Sequence, residues 1–515
     1  MTSGSSVVSR ARGAALVGVD GHPVEVEVRL SSQLPRIDLV GLPEAAVRES
    51  GARVRAAIAA SGLRFPERRV TVNLAPASLR KGGAGLDLPI ALGILAAAGD
   101  VDAERLTGLG LFGELALDGR LRAVPGALAL TLALRDAGVA EVIVPEASAA
   151  EAALAPGISV LPAPDLRATL VHLRGEAPLV PASTPRLAPA VAPSLDLADV
   201  RGQEHAKRAL VVAAAGGHAL LLVGPPGAGK TMLAKRLPGL LPPLDFEEAV
   251  DVLRIHGAVS RTAVARGEGS LAAERPFRSP HHSASPAGIL GGGSPPRPGE
   301  VSLAHRGVLF LDELPEFERR VLEALRQVLE DRAIVLARAR HSCVLPAHFQ
   351  LVAAANPCPC GFRLSRERDC RCDDGAIARY AARLSGPLLD RIDLQVRVPS
   401  VPWRELEEVR PGRSSADARH AVVSAVARQE RRLSRVMPGA RRNAEIPDGV
   451  LDGLVDAAPE ARALLGRAVD RLRLSARAAR RVLRVARTVA DLGGETRVGP
   501  AEIAEALAFR QGMEP

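Results

Sequence analysis

A chain of 515 residues is too long for one hydrophobic core and implies two or three domains. With 47% apolar and 24% charged residues it has an ordinary globular composition, which excludes a disordered chain, and no uninterrupted apolar run is long enough for a membrane helix. The net charge of +9 favours polyanionic partners, while aromatics at 2% argue against base stacking, so nucleic-acid contacts are expected through arginines and backbone.

Met1 to Ser9 lacks the apolar centre of a secretory signal, so the expected location is the cytoplasm. Strands are predicted at Ala15 to Val19, Val24 to Leu30, Arg36 to Val40 and Arg69 to Leu74, and helices at Pro43 to Ser61 and Asp87 to Ala98. Residues 1–176 are therefore read as an α/β domain of their own. Two stretches in it, Arg80-Lys81-Gly82-Gly83-Ala84-Gly85-Leu86-Asp87 and Gly113 to Leu121 running on to Val142-Ile143-Val144-Pro145-Glu146, resemble the C-terminal domain of Lon-type proteases and the related domain of RadA. Where that pattern carries its serine nucleophile this chain has Gly85, and where it carries its lysine base it has Leu128. Covalent peptide chemistry needs both, so the leader is expected to be a non-proteolytic platform.

Residues 177–197, rich in proline, alanine and small polar side chains, read as a semi-extended linker, and 198–405 as a second α/β unit. A helix from Glu204 to Ala215 leads to the apolar run Ala219-Leu220-Leu221-Leu222-Val223, which predicts a strand buried on both faces. Gly224-Pro225-Pro226-Gly227-Ala228-Gly229-Lys230-Thr231 follows at once and satisfies the P-loop pattern G-x-x-x-x-G-K-[ST], with a helix expected over Met232 to Leu237. Glycines let successive N–H groups turn inward as a cradle for a polyphosphate; Lys230 is placed to reach the β- and γ-phosphates and Thr231 to hold Mg²⁺. Only four of the 67 basic residues are lysines, and one of them stands here, where a point charge is needed.

The stretch Arg275 to Glu300, with Arg278, Gly291-Gly292-Gly293 and Arg297, reads as a mobile basic loop. Its His281-His282 pair lacks a third metal ligand, and adjacent side chains diverge. Val308 to Leu311 is a buried strand ending in Asp312 and Glu313, the first placed to hold Mg²⁺ and the second to activate water. Gln350 to Ala355 is another, ending at Asn356, whose amide is placed to polarise the water or the γ-phosphate. Cys358, Cys360, Cys370 and Cys372 then form C-x-C, nine residues, C-x-C, which leaves structural zinc and free thiols both open; Cys343 reads as a plain buried thiol.

Residues 406–515 read as helical and hold 20 arginines against 15 acidic residues, a local excess of five positive charges. Arg471 to Asp491 is predicted as one amphipathic helix, with Leu472, Ala476, Ala479, Leu483, Ala486 and Ala490 inward and Arg473, Arg477, Arg480, Arg484 and Arg487 outward. The order of these motifs, with the Lon-like leader and Asn356-Pro357-Cys358-Pro359-Cys360-Gly361, resembles the YifB/ComM group of magnesium-chelatase-like AAA+ ATPases. The resemblance implies three parts: a Lon-protease-like leader, a P-loop AAA+ core and a helical lid. It matches Arg391 to an arginine finger, Arg477 to a second sensor, and the turn Asp199 to Gln203 to one that lies against adenine. It also implies ATP and Mg²⁺ as cofactors, a hexameric ring, and DNA as the substrate of a helicase promoting branch migration in natural transformation. A magnesium-chelatase motor or a protein-remodelling ATPase without DNA are the alternatives.

Overall fold

Positions alternate between buried and exposed along Val8–Val17 and Asp20–Ser31, and the two strands pair as an antiparallel hairpin. The hairpin lies at the centre of a seven-stranded mixed sheet ordered Arg36–Val40, Arg69–Ala75, Asp20–Ser31, Val8–Val17, Leu109–Leu111, Glu141–Pro145, Ser159–Ala163. The expected strand Arg36 to Val40 and helix Asp87 to Ala98 form as read, whereas Pro43 to Ser61 breaks into Ala45–Arg48 and Ser50–Ala60. Asp87–Ala98 is apolar nearly all round because the hairpin covers one side and Ser50–Ala60 the other. Asp87 is fully buried and accepts from Ser50 Oγ at 2.5 Å and from Arg53 at 2.7 and 3.0 Å, which fixes the two helices together.

The structure, a computed structural model, describes residues 8–187, 195–260, 270–271, 274–293, 295–338, 341–363, 365, 368–384, 386–407 and 412–510. Residues 188–194 of the expected linker, Met1 to Val7 and Ser385 lie outside them.

The second sheet is wholly parallel, ordered Phe277–Arg278, Val308–Leu311, Gln350–Ala355, Leu220–Val223, Leu394–Arg397. Its three central strands are buried at every position, as their unbroken apolar runs require. Because the strands run the same way, the residues following Val223, Leu311 and Ala355 emerge at one edge.

The C-terminal helices pack at the other edge. His218, just ahead of Leu220, is fully buried; its Nδ1 lies 3.2 Å from Asp393 and its Nε2 2.8 Å from Thr488 on the helix Ala476–Gly493. Arg481 of the same helix donates to Asp393 at 2.5 Å and to the Arg391 carbonyl at 3.0 Å. The single helix expected from Arg471 to Asp491 is two: Pro459–Leu472 ends with Arg473 in the left-handed region at φ +49°, and the Ser475 side chain caps the next. Nor does Arg487 face outward. At 2% exposed, it donates to the carbonyls of Val455, Glu495 and Thr496 and pairs with Asp491 at 3.0 Å, one helical turn on.

The leader packs on the second unit through Leu128, Leu154 and Ala155 against Leu253. The Asp20–Arg254 pair, at 3.2 Å, and Cys343 against the tight turn at Gly18 extend the seam. Glu151 lies in this seam with one donor among the described residues, the Leu128 N–H at 3.2 Å, and burial pushes its carboxyl up to about 7.

Candidate nucleotide-binding site

The loop from Gly224 to Gly229 leaves the sheet where only glycine fits at two points. A Cβ on Gly224 would stand 2.0 Å from the Val398 carbonyl oxygen, and Gly229 turns into the helix Lys230–Ala234 at φ +88°. That helix starts two residues before the expected Met232, so Lys230 and Thr231 form its first turn. Lys230 is 8% exposed, and its ammonium is satisfied by three acceptors: the Gly224 and Pro225 carbonyls at 2.6 and 2.9 Å and Asn356 Oδ1 at 3.1 Å. Burial lowers its pKa while Asp312 and Glu313 oppose the shift.

Thr231 Oγ1 donates to Asp312 Oδ2 at 2.7 Å, and Asp312 Oδ1 accepts the Glu313 N–H at 3.0 Å. Lys230, Thr231, Asp312 and Asn356, supplied by three strands far apart in sequence, are thus joined at one sheet edge. Glu313 stands beside them, exposed, with its backbone in the left-handed region at φ +51°. Gln203 Nε2 reaches the Ala228 carbonyl at 3.4 Å, which brings the turn Asp199 to Gln203 against the loop.

Sequence reasoning missed a neighbour of Glu313. His282 Nδ1 lies 3.3 Å from Glu313 Oε2, whereas His281 turns to Ser283 Oγ at 2.8 Å. The two histidines thus serve different partners, and nothing in their spacing marked the contact with Glu313. The surrounding stretch is also less free than expected: Ile289 is fully buried, Arg275 pairs with Glu248 at 3.0 Å, and Arg278 grips Glu300 at 2.6 and 2.7 Å.

Neither Arg391 nor Arg477 joins this group. Arg391 pairs with Glu330 at the far edge of the sheet, across roughly 13 Å of strand. It borders a cavity of about 610 Å³ that Arg275, Arg442 and Arg481 also line. Arg477 is exposed in the first turn of Ala476–Gly493, one turn before Arg481, and has no hydrogen bond or ion pair among the described residues.

Among the described residues, one group of potential metal ligands stands out: Cys358, Cys360, Cys370 and Cys372, with sulfurs within 4.8 Å of one another. The Phe362 and Arg371 N–H groups point at the Cys360 sulfur and draw its thiol down to about 6.

The family models that match are "Magnesium chelatase, subunit ChlI" over residues 196–406, "Subunit ChlI of Mg-chelatase" over 26–148 and "Magnesium chelatase, subunit ChlI C-terminal" over 412–510. The chain is 44% identical over 499 residues to the uncharacterized protein YifB of Escherichia coli K12, covering 96% of each. It is 43% identical over 503 residues to the competence protein ComM of Haemophilus influenzae, again 96% of each. A partial likeness, 31% over 182 residues, links it to Lon protease 2 of Bacillus subtilis, covering 32% of this chain and 31% of that one.

Proposed function

The chain belongs to the YifB/ComM family of magnesium-chelatase-like proteins, and from that premise we propose that it is an ATP-hydrolysing AAA+ ring motor that acts on DNA in the cytoplasm. The observation that carries the ATPase reading is the joined set Lys230, Thr231, Asp312 and Asn356 at the mouth of a P-loop. Lys230 exchanges its carbonyl acceptors for the β- and γ-phosphate oxygens, the swap that a buried ammonium with only neutral or amide partners favours. Thr231 and Asp312 hold Mg²⁺, which neutralises phosphate charge when bound. Asn356 then orients the attacking water and Glu313 takes its proton as the γ-phosphate leaves.

Arg391 serves the nucleotide of a neighbouring subunit, and Arg477 is the second-sensor candidate for contacting a γ-phosphate. The position of Arg391 beside Asp393 and Glu330, at the sheet edge remote from the P-loop, supports the role across subunits, because it keeps this arginine from its own nucleotide. A ring, hexameric by family likeness, is therefore part of the reading. The same reading divides the chain into a non-proteolytic leader, 1–176, a linker, 177–197, an ATPase core, 198–405, and a lid, 406–515. Zinc at the four cysteines completes the cofactors.

DNA as substrate, and a helicase or branch-migration role in transformation, are what the family resemblance implies; the competence name of the Haemophilus relative and the basic charge support a DNA partner. Measuring ATP turnover with and without DNA tests this: stimulation by DNA is expected. Turnover indifferent to DNA would favour remodelling of a protein client or a chelatase-like task.

A further inference from the structure

The four cysteine sulfurs sit beside the phosphate cradle. Cys358 to Cys360 is 3.4 Å, and Cys370 is 3.7 Å from each of them. A disulfide requires about 2.05 Å, whereas four thiolates about 2.3 Å from one tetrahedral ion lie near 3.8 Å from each other. The spacing therefore fits a single thiophilic divalent ion and not a pair of bridges.

What the ion would hold matters more than the ion. Between Asn356 and Asp373 there is no helix or strand among the described residues, so no backbone ladder fixes the segment. Its first residue, Asn356, supplies the side-chain acceptor of Lys230. Two residues on, Cys358 is fully buried, and its carbonyl accepts the Gly361 N–H at 3.0 Å to close a tight turn. Gly361, at φ +84°, lies so close to the cradle that a Cβ there would meet Pro226 Cδ at 2.6 Å. The turn bearing the first two thiols is thus braced on Pro226 at one end and carries Asn356 at the other. The sulfur contacts tie Cys370 back to that turn across the intervening loop.

We infer that zinc held by Cys358, Cys360, Cys370 and Cys372 is the brace of the nucleotide site: its presence sets the positions of Asn356 and Pro226, and hence the affinity of the P-loop for nucleotide. The inference rests on the zinc and P-loop readings above, and the experiment separates the three. Full-length protein purified without chelator is analysed for metal, and the Kd of a fluorescent ATP analogue is measured before and after zinc is stripped by a chelator and again after zinc chloride is restored. One zinc per chain is expected, with affinity falling about tenfold or more on stripping and returning on restoration. Gly361→Ala, which leaves all four thiols, should keep its zinc and still lose affinity by a similar factor; this arm stands even where Cys370→Ser fails to fold. Iron or no metal overturns the zinc reading. Zinc-loaded protein that binds no nucleotide overturns the P-loop reading. Zinc that can be removed with Kd unchanged within about twofold overturns the coupling alone.

Discussion

Two of the ion pairs that tie the C-terminal helices to the nucleotide-binding unit differ in burial, and this predicts very different strengths. Asp393 is 5% exposed and is held by Arg481, His218 and the Ala219 N–H, whereas the Arg208–Glu505 pair has side chains 36% and 31% exposed. Among the described residues, Asp393→Ala leaves the Arg481 guanidinium one acceptor, the Arg391 carbonyl, and takes away the partner of His218 Nδ1. Removing one partner of a buried pair costs about 3–5 kcal/mol, a fall of roughly 6–20 °C in the transition of the core and lid. Arg208→Ala should cost less than about 1 kcal/mol. Scanning calorimetry of the two variants beside the parent chain provides the comparison. The acid side adds a second reading. Burial raises the Asp393 pKa, but Arg481 and His218 outweigh it and hold the carboxyl well below its ordinary range. Its stabilisation is therefore complete above about pH 4 and lost as pH falls further, and Asp393→Ala should flatten that acid limb. Equal losses in the two variants, or an Asp393→Ala cost under about 1 kcal/mol, would refute the reasoning.

At the P-loop, Lys230→Ala should weaken nucleotide binding, while Glu313→Gln should bind ATP and barely hydrolyse it; near-normal turnover in the second removes Glu313 from the mechanism. Arg391→Ala chains should bind ATP yet lose hydrolysis by about 10³-fold, and mixing them with Lys230→Ala chains should restore some activity if the arginine acts across subunits. Glu151→Gln should stabilise the leader–core seam at pH 8 by up to roughly 3 kcal/mol, since a carboxyl raised from 4.5 to about 7 favours folding below pH 4.5 and forfeits that advantage as pH rises through 7; an unchanged melting profile at pH 8 would show that Glu151 is solvated. The leader should release no peptide from an unfolded protein with ATP present, because Gly85 and Leu128 offer neither hydroxyl nor amine; cleavage lost on deleting the leader would contradict this.

The strands that frame the nucleotide site were legible because each is a short, unbroken apolar run with its polar residue at the end: Val223 into the loop, Leu311 into Asp312, Ala355 into Asn356. Their pattern is local, so no knowledge of the partner strands was needed. The junction with the C-terminal helices was invisible for the opposite reason. His218, Asp393 and Thr488 are each unremarkable in sequence and become a network only through contacts 175 and 270 positions apart. Arg487 misled because a helical stripe of arginines reads as solvated, although Asp491 one turn later was the available signal for a buried pair. The break at Arg473 was marked too: Ser475 is a strong cap, but uninterrupted helical periodicity on either side concealed it.

The scarcity of lysine has a practical consequence once its four positions are known. Lys81 is fully buried against three backbone carbonyls, Lys207 is 5% exposed and Lys230 8%, which leaves Lys235 as the one lysine amine standing in solvent. Apart from the α-amino group, amine-directed acylation of the native protein should therefore tag essentially one site, the side chain at the end of the helix that begins with Lys230 and Thr231. A dye coupled there would sit one short helix away from the cradle without a single engineered cysteine, and its emission could follow nucleotide arrival and departure in the unaltered protein.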